Sequence, residues 1–138
     1  MYRKILVAYD GSAEARKAFD TALELAAKNG AELYVLSVAH SQNIPDEVET
    51  EAVTENSRHH HEGLLAELRP ITAGKGVAAQ FEVSVGHPAK QIIYDADRHQ
   101  VDLIVVGNRG RSKLAQVLLG SVSQEVVKYA NRAVLVVR

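Results

Sequence analysis

A chain of 138 residues is the usual size of one compact domain, and 46% hydrophobic and 24% charged residues are ordinary for a globular one. The formal net charge of −1 lacks the basic excess of a general nucleic-acid or membrane-surface binder, so neither partner is expected. There is no cysteine, which excludes disulfides and thiol chemistry and fits a reducing compartment.

The first apolar run, Ile5–Tyr9, follows Met1-Tyr2-Arg3-Lys4 and is stopped by Asp10. It is too short for the core of a signal peptide, and no segment approaches the roughly 18 apolar residues of a membrane span. A cytoplasmic protein is the expectation. A helix follows from Ser12 to Lys28, with Ala15, Ala18, Phe19, Ala22, Leu23, Leu25 and Ala26 close to one stripe, Ser12 as N-cap and Gly30 as stop signal. Leu33–Ala39 is a second near-continuous apolar run. Residues His40 to Glu55 look least structured and are expected to form a loop. The polar segment from Asp46 to about Ala73 is expected to be helical in its second half, where Leu64, Leu65 and Leu68 recur, and Pro70 argues against one unbroken helix.

Ala79–Val85 alternates with Gln80, Glu82 and Ser84, as an edge strand with one wet face would. Pro88 begins a helical turn, continued by Ala89 to Arg98. Leu103–Val106 is a fourth strand, Ser121–Tyr129 a last helix and Ala133–Val137 a final strand. The near-continuous runs are those of strands buried on both faces. The order β-α-β-α-β-α-β-α-β therefore predicts one doubly wound, five-stranded parallel sheet flanked by helices, Rossmann-like, over residues 1–138. No linker, repeat or low-complexity tract divides it.

In such sheets ligands bind beyond the carboxyl ends of the strands, where the strand order reverses. Asp10-Gly11-Ser12 follows the first strand, His40 the second, and Gly86-His87-Pro88 the third. The fourth strand leads into Gly107-Asn108-Arg109-Gly110-Arg111-Ser112 and on to Gly120-Ser121-Val122-Ser123. Glycines there allow close approach to a ligand, a helix start offers free N–H groups, two serines add hydroxyls, and Arg109, Arg111 and Lys113 add positive charge. These are the parts of a phosphate cradle. A structural reading stands beside it: Ser121-Val122-Ser123-Gln124 fits a capping box, and Gly107 and Gly110 fit a turn. Asp10 likewise fits a turn before Gly11-Ser12. The loop is neither a Walker A sequence nor GxGxxG.

Gly107-x2-Gly110-x9-Gly120-Ser121 resembles the glycine signature of ATP-binding universal stress proteins. Ile5–Ser12, Gly86-His87-Pro88-Ala89, Asp102–Gly107 and Ala133–Arg138 are also similar to that family, so the resemblance covers essentially the whole chain. It implies an adenine nucleotide, ATP or AMP, with Asp10 at the adenosine part and Ala8 and Val38 lining the adenine pocket. Val106 and Gly107 would lie beside base and ribose. Gly110, Gly120, Ser121, Val122 and Ser123 would contact phosphate, with Ser12 and Arg109 in the same nucleotide-binding set. A Mg²⁺ ion would be held through the phosphates and waters. The family's usual form is a dimer joined through the last strand, here Ala133–Val137, and an apolar strand at a sheet edge invites such pairing. Asn108, His87 and Arg132-Ala133 depart from the family's common residues without touching the glycine signature.

His59, His60 and His61 are poor metal co-ligands, because consecutive helix positions point apart, and are read as a solvated face. His40 stands at a strand's carboxyl end, where a polar rim and a ligand contact are both open. No Ser-His-Asp pattern or placed carboxylate pair supports catalysis beyond slow ATP hydrolysis. A dimeric, nucleotide-dependent regulatory switch with an unknown protein partner is the leading expectation. The alternatives are a nucleotide-free dimeric interaction module and an ATP-using enzyme of the same fold, the latter opposed by the absence of an SGGxDS-like loop. A phosphate-accepting receiver would need an Asp where Gly86-His87 stands.

Overall fold

The computed structural model describes residues 1–40, 47–108 and 120–138; for residues 40 and 47–54 the backbone alone is described. Five strands form one sheet: β1 (Lys4–Ala8), β2 (Glu32–His40), β3 (Ala79–Gly86), β4 (Leu103–Gly107) and β5 (Ala133–Val137). Their order is β3-β2-β1-β4-β5, and every neighbouring pair is parallel. The chain winds outward from β1 in one direction, returns, and winds out in the other. The reversal falls between β1 and β4, so their carboxyl ends diverge into a crevice. β3 is an edge strand, as its alternation predicts.

Ile5, Leu6 and Val7 of β1 and Leu103 to Val106 of β4 are buried on alternate faces of the sheet, which is why both read as unbroken apolar runs. On one face Ile5, Val7, Leu33, Val35 and Val105 pack against α1 (Ala13–Asn29), whose Phe19 is wholly buried, and against Leu65 and Leu68. On the other, Leu6, Leu36, Ile104 and Val106 meet Ile92 and Ala96 of α4 (Pro88–His99) and Val126 of α5 (Ser121–Tyr129). Helix α1 starts where its capping residue dictates: the Ser12 hydroxyl accepts from the Ala15 N–H at 3.1 Å. It ends in a left-handed Gly30 at φ 63°.

The segment after β2 differs from expectation. Helix α2 (Glu47–Ala66) begins well before the second half of the polar stretch, so Glu47–Glu55 is helical rather than loop. Its inner positions near the sheet are spaced as His61, Leu64, Leu65 and Leu68, a stripe that continues past the helix end. Pro70 has the predicted effect: the helix stops, and a short α3 (Arg69–Gly74) restarts with the proline in its first turn. Residues 41–46 lie outside the described residues.

Helix α4 is tied to β3 by charge. Arg98 donates to Glu82 at 2.6 Å and to Asp95 at 2.9 Å, and Ser84 donates to the same buried Asp95 at 3.0 Å. The His99 ring stacks on Tyr34 at 4.4 Å. The polar residues that mark β3 as an edge strand thus serve as partners for α4 rather than facing only water. Among the described residues no helix is long and apolar enough to cross a membrane.

Candidate functional site

A cleft of about 470 Å³ opens at the carboxyl ends of β1, β2 and β4, at the reversal of strand order. Ala8, Asp10, Ser12, Val38, Val106, Gly107, Ser121, Val122 and Ser123 line it together. Those nine of the twelve residues singled out from sequence come from four separate stretches of chain. Gly120 stands at the same place as the residue before α5. Arg109 and Gly110 lie outside the described residues, as do Arg111 and Lys113.

The cleft's two sides differ because strand residues alternate. Leu36 and Val38 of β2, Ala8 of β1 and Val106 of β4 share one face of the sheet and, with Ile92, make an apolar wall. Tyr9, Asp10, Ser12 and His61 lie on the side of α1 and α2 and make a polar rim. Asp10 begins a tight turn: its Oδ1 accepts from the Ser12 N–H at 2.9 Å, while Gly11 between them sits at φ 86°, a conformation that suits glycine. The turn reading of Asp10 is therefore realised, and it fixes the carboxylate at the cleft. Burial, foremost, raises the Tyr9 hydroxyl above its usual 10.0, so it stays protonated at neutral pH.

The α5 end of the cleft corrects one expectation. The N-cap is Gly120, not Ser121, and it makes no side-chain cap. Ser121 is the first helical residue, so the proposed capping box is not formed. Ser123 is buried, and its hydroxyl donates back to Gly120 O at 3.1 Å. The first intrahelical bond is Gln124 N–H to Gly120 O, at 2.8 Å. The N–H groups of Ser121, Val122 and Ser123 precede it and carry the partial positive charge of a helix start, on the cleft. Anions are stabilised at such a place.

The structural work of two residues, Asn108 and Gly107, was not read from sequence. Asn108 is 8% exposed; its Oδ1 accepts from the Gly120 N–H at 2.8 Å, and its own N–H donates to Val137 O. It thereby ties the end of β4 to the start of α5 and to β5. Its departure from the family's small residue was visible, but a latch across twelve positions leaves no local signal. Gly107 needs its missing side chain: a Cβ there would lie 2.6 Å from Glu14 O. The strand-end glycine lets α1 begin directly against β4, whatever else it does at the cleft.

His61 also differs from expectation. His59 and His60 are exposed, but His61 is only partly so, lines the cleft and shares a 2.5 Å hydrogen bond through Nδ1 with the fully buried Ser37 hydroxyl. Burial, then the neighbouring His60, lowers its basicity below the usual 6.5; Asp10 pulls the other way. The imidazole is neutral at pH 7. The helix period, taken from Leu64, Leu65 and Leu68 back by one turn, carries this placement; a run of three histidines hides it. His87 and Glu125 flank the opposite rim, 3.9 Å apart. His40 closes β2, and its side chain lies outside those described.

Comparison with known proteins identifies the family and the fold. A sequence model described as the universal stress protein family matches residues 1–138. The chain is 35% identical to universal stress protein YxiE of Bacillus subtilis, with all of both chains covered. Its fold superposes on universal stress protein UspA of Lactobacillus plantarum with a TM-score of 0.88 at 28% identity, covering 99% of this chain and 98% of that one. A universal stress protein solved in complex with cAMP matches with a TM-score of 0.79 at 28% identity, covering 99% of this chain and 97% of that one. The chain belongs to the universal stress protein family.

Proposed function

We propose that the chain is an adenine-nucleotide-binding stress-response protein that holds ATP or AMP in the cleft and acts as a dimeric switch. One observation carries the reading. The nine lining residues named above, chosen from separate stretches, surround one cavity of about 470 Å³ with an apolar wall, a carboxylate turn and a helix start. That volume lies in the range of small-molecule sites, roughly 300–1,000 Å³. A flat base suits the wall of Ala8, Val38 and Val106. Phosphate suits the N–H groups of Ser121, Val122 and Ser123, with Arg109, Gly110 and Gly120 completing the loop. The cAMP complex of a related protein supports the ligand class. Mg²⁺ would enter with the phosphates, held by them and by waters. Pairing of β5 with a second copy and a cytoplasmic location belong to the same proposal.

The test begins with gentle purification, acid denaturation and mass analysis of released small molecules, followed by ATP titration calorimetry on the emptied protein. About one adenine nucleotide per chain, or an affinity on the order of micromolar, supports the reading. No nucleotide and no ATP binding would leave a nucleotide-free interaction module. Gly120→Val sharpens the result. Gly120 has φ −64° and ψ 161°, an extended conformation open to any residue, so the backbone tolerates the change. Affinity for ATP should fall at least tenfold while the circular dichroism spectrum persists; an unchanged affinity would remove phosphate from the α5 end.

A further inference from the structure

Between β3 and α4 stands a group of titratable side chains that the cleft does not use. Asp95 and His99 lie four apart on α4 and so share one face of it, the spacing by which a helix presents two ligands to one metal ion. Glu82 reaches them from β3. One ligand atom of each of the three lies within 4.8 Å of the other two. Asp95 is 2% exposed, and its Oδ2 accepts from the Ser84 hydroxyl at 3.0 Å, which orients the carboxylate. The His99 ring is held in plane by its stack on Tyr34 at 4.4 Å. Its Nε2 is buried 3.2 Å from Glu82 Oε1, yet has no hydrogen bond among the described residues. A buried ring nitrogen left in that state is costly, and few are found in folded chains.

That separation fits two ligands of one ion. Zinc holds nitrogen and oxygen at about 2.0–2.2 Å in a tetrahedron, so adjacent ligand atoms stand about 3.3 Å apart. Arg98 marks the place as one for a cation: its guanidinium bridges Glu82 Oε2 at 2.6 Å and Asp95 Oδ1 at 2.9 Å. Two carboxylates and one guanidinium leave a negative charge over, whereas a divalent ion in its place leaves none. The Arg98 side chain is half-exposed, so its head can turn out into water. We propose that Glu82, Asp95 and His99 form a zinc site, with Arg98 as the resident cation that the metal displaces and a water in the fourth position. The ligand atoms need close by at most about 1.5 Å from their present spread. One imidazole with two carboxylates suits Zn²⁺ rather than Mg²⁺, which takes oxygen ligands. The ion would clamp the edge strand β3 to α4. None of the three ligands lines the cleft, so the inference stands apart from the nucleotide reading.

Calorimetric titration of the tag-free, nucleotide-free chain with zinc chloride at pH 7.5 tests it. The wild type should take up one Zn²⁺ per chain, and its thermal midpoint should rise with Zn²⁺ concentration. Glu82→Gln and His99→Phe, the latter keeping a ring against Tyr34, should each lower the affinity at least tenfold. Arg98→Met should raise it, because the competing cation is gone; a purely structural ion-pair network gives no such gain. Cobalt(II) in place of zinc should show the visible absorption of a tetrahedral site, and His99→Phe should abolish it. The exposed His59 and His60 are the rival ligands, so the double variant His59→Ala, His60→Ala should leave the affinity unchanged. Uptake that is lost in that double variant but kept in His99→Phe overturns the site. So does an absence of uptake by both the wild type and Arg98→Met. Binding of Mg²⁺ in preference to Zn²⁺ overturns the ligand chemistry. If His99→Phe does not fold, Glu82→Gln and Arg98→Met decide.

Discussion

Gly107 illustrates how one residue answers to two demands. It was singled out for a ligand, yet its closest constraint is the backbone of α1: a Cβ would meet Glu14 O at 2.6 Å and Ala15 N at 3.1 Å. Neither atom belongs to a flexible side chain, so β4 or the first turn of α1 must move. Gly107→Ala should therefore cost about 1–3 kcal/mol, read as a lower urea midpoint at unchanged slope; a neutral result would mean the helix start yields freely. His61 gives a prediction of the opposite kind, in pH. Its proton affinity in the folded chain lies below the unfolded 6.5, chiefly from burial. Between those two values the unfolded chain binds more protons, so stability rises with pH there. The contribution is complete above about 6.5 and is lost as pH falls toward the folded value. The urea midpoint of the wild type should fall more steeply than that of His61→Gln between pH 7 and pH 5; parallel curves would contradict the burial argument. Asp102, whose carboxylate is held below its usual 3.8 by the Arg3 and Lys4 N–H groups at 2.7 and 3.0 Å, acts in a lower window: its contribution is complete above 3.8 and is lost as pH falls from there toward the lower folded value. Asp10 and Ser12 were legible at this scale because a turn and a cap are local. Asn108 and Ser37 were not, because their partners lie twelve and twenty-four positions away.

Among the elements, legibility followed the strength of local punctuation. Helix α1 has a side-chain cap, an apolar stripe and a terminal glycine, and its predicted span agrees with Ala13–Asn29 within a residue. Helix α2 begins earlier than expected because its first half carries few apolar residues, leaving periodicity nothing to register. Its second half shows a stripe in Leu64, Leu65 and Leu68, which His61 extends by one turn. Helix α5 was displaced by one at its cap, since Ser121 is the better capping residue by type and Gly120 takes the position. Helix α4 ends without a glycine. Gln100 occupies the left-handed cap at φ 54°, and the Val101 N–H bonds Ala96 O at 3.0 Å, the long-range bond of that motif. A side chain in this conformation costs roughly 1–2 kcal/mol. Gln100→Gly removes that strain but adds freedom to the unfolded chain, so a net gain of about 0.5–1 kcal/mol is expected. Thermal denaturation should show a rise of a few degrees; a fall would mean the Gln100 side chain makes a contact worth more than its strain.

The whole molecule follows from how the two outer strands are treated. The alternation of strands and helices was enough to expect a parallel sheet, with β3 at one edge and the last strand, Ala133–Val137, at an edge too. The structure places β5 at the other edge. β3 is a managed edge: Glu82 and Ser84 are engaged with Arg98 and Asp95 of α4, and Arg58 of α2 reaches Val83 O. β5 has no comparable polar face. Val134, Leu135, Val136 and Val137 are all apolar and only partly buried, whereas its neighbour β4 is buried through Val106. An apolar strand with an unpaired side is a template for another strand. A second copy across a two-fold axis would satisfy the backbone groups and cover those side chains at once. Light scattering after gel filtration should accordingly find a dimer at micromolar concentration. Leu135→Lys puts a charge in the centre of that strand, on a side chain long enough to keep its ammonium in water. It should give a monomer with the far-ultraviolet spectrum retained. A monomeric wild type would leave β5 as a bare edge and remove the dimer from the proposed switch. A folded Leu135→Lys that still dimerises would move the interface elsewhere, most simply to the helices beside β5, and the cleft would then have to signal through a different surface.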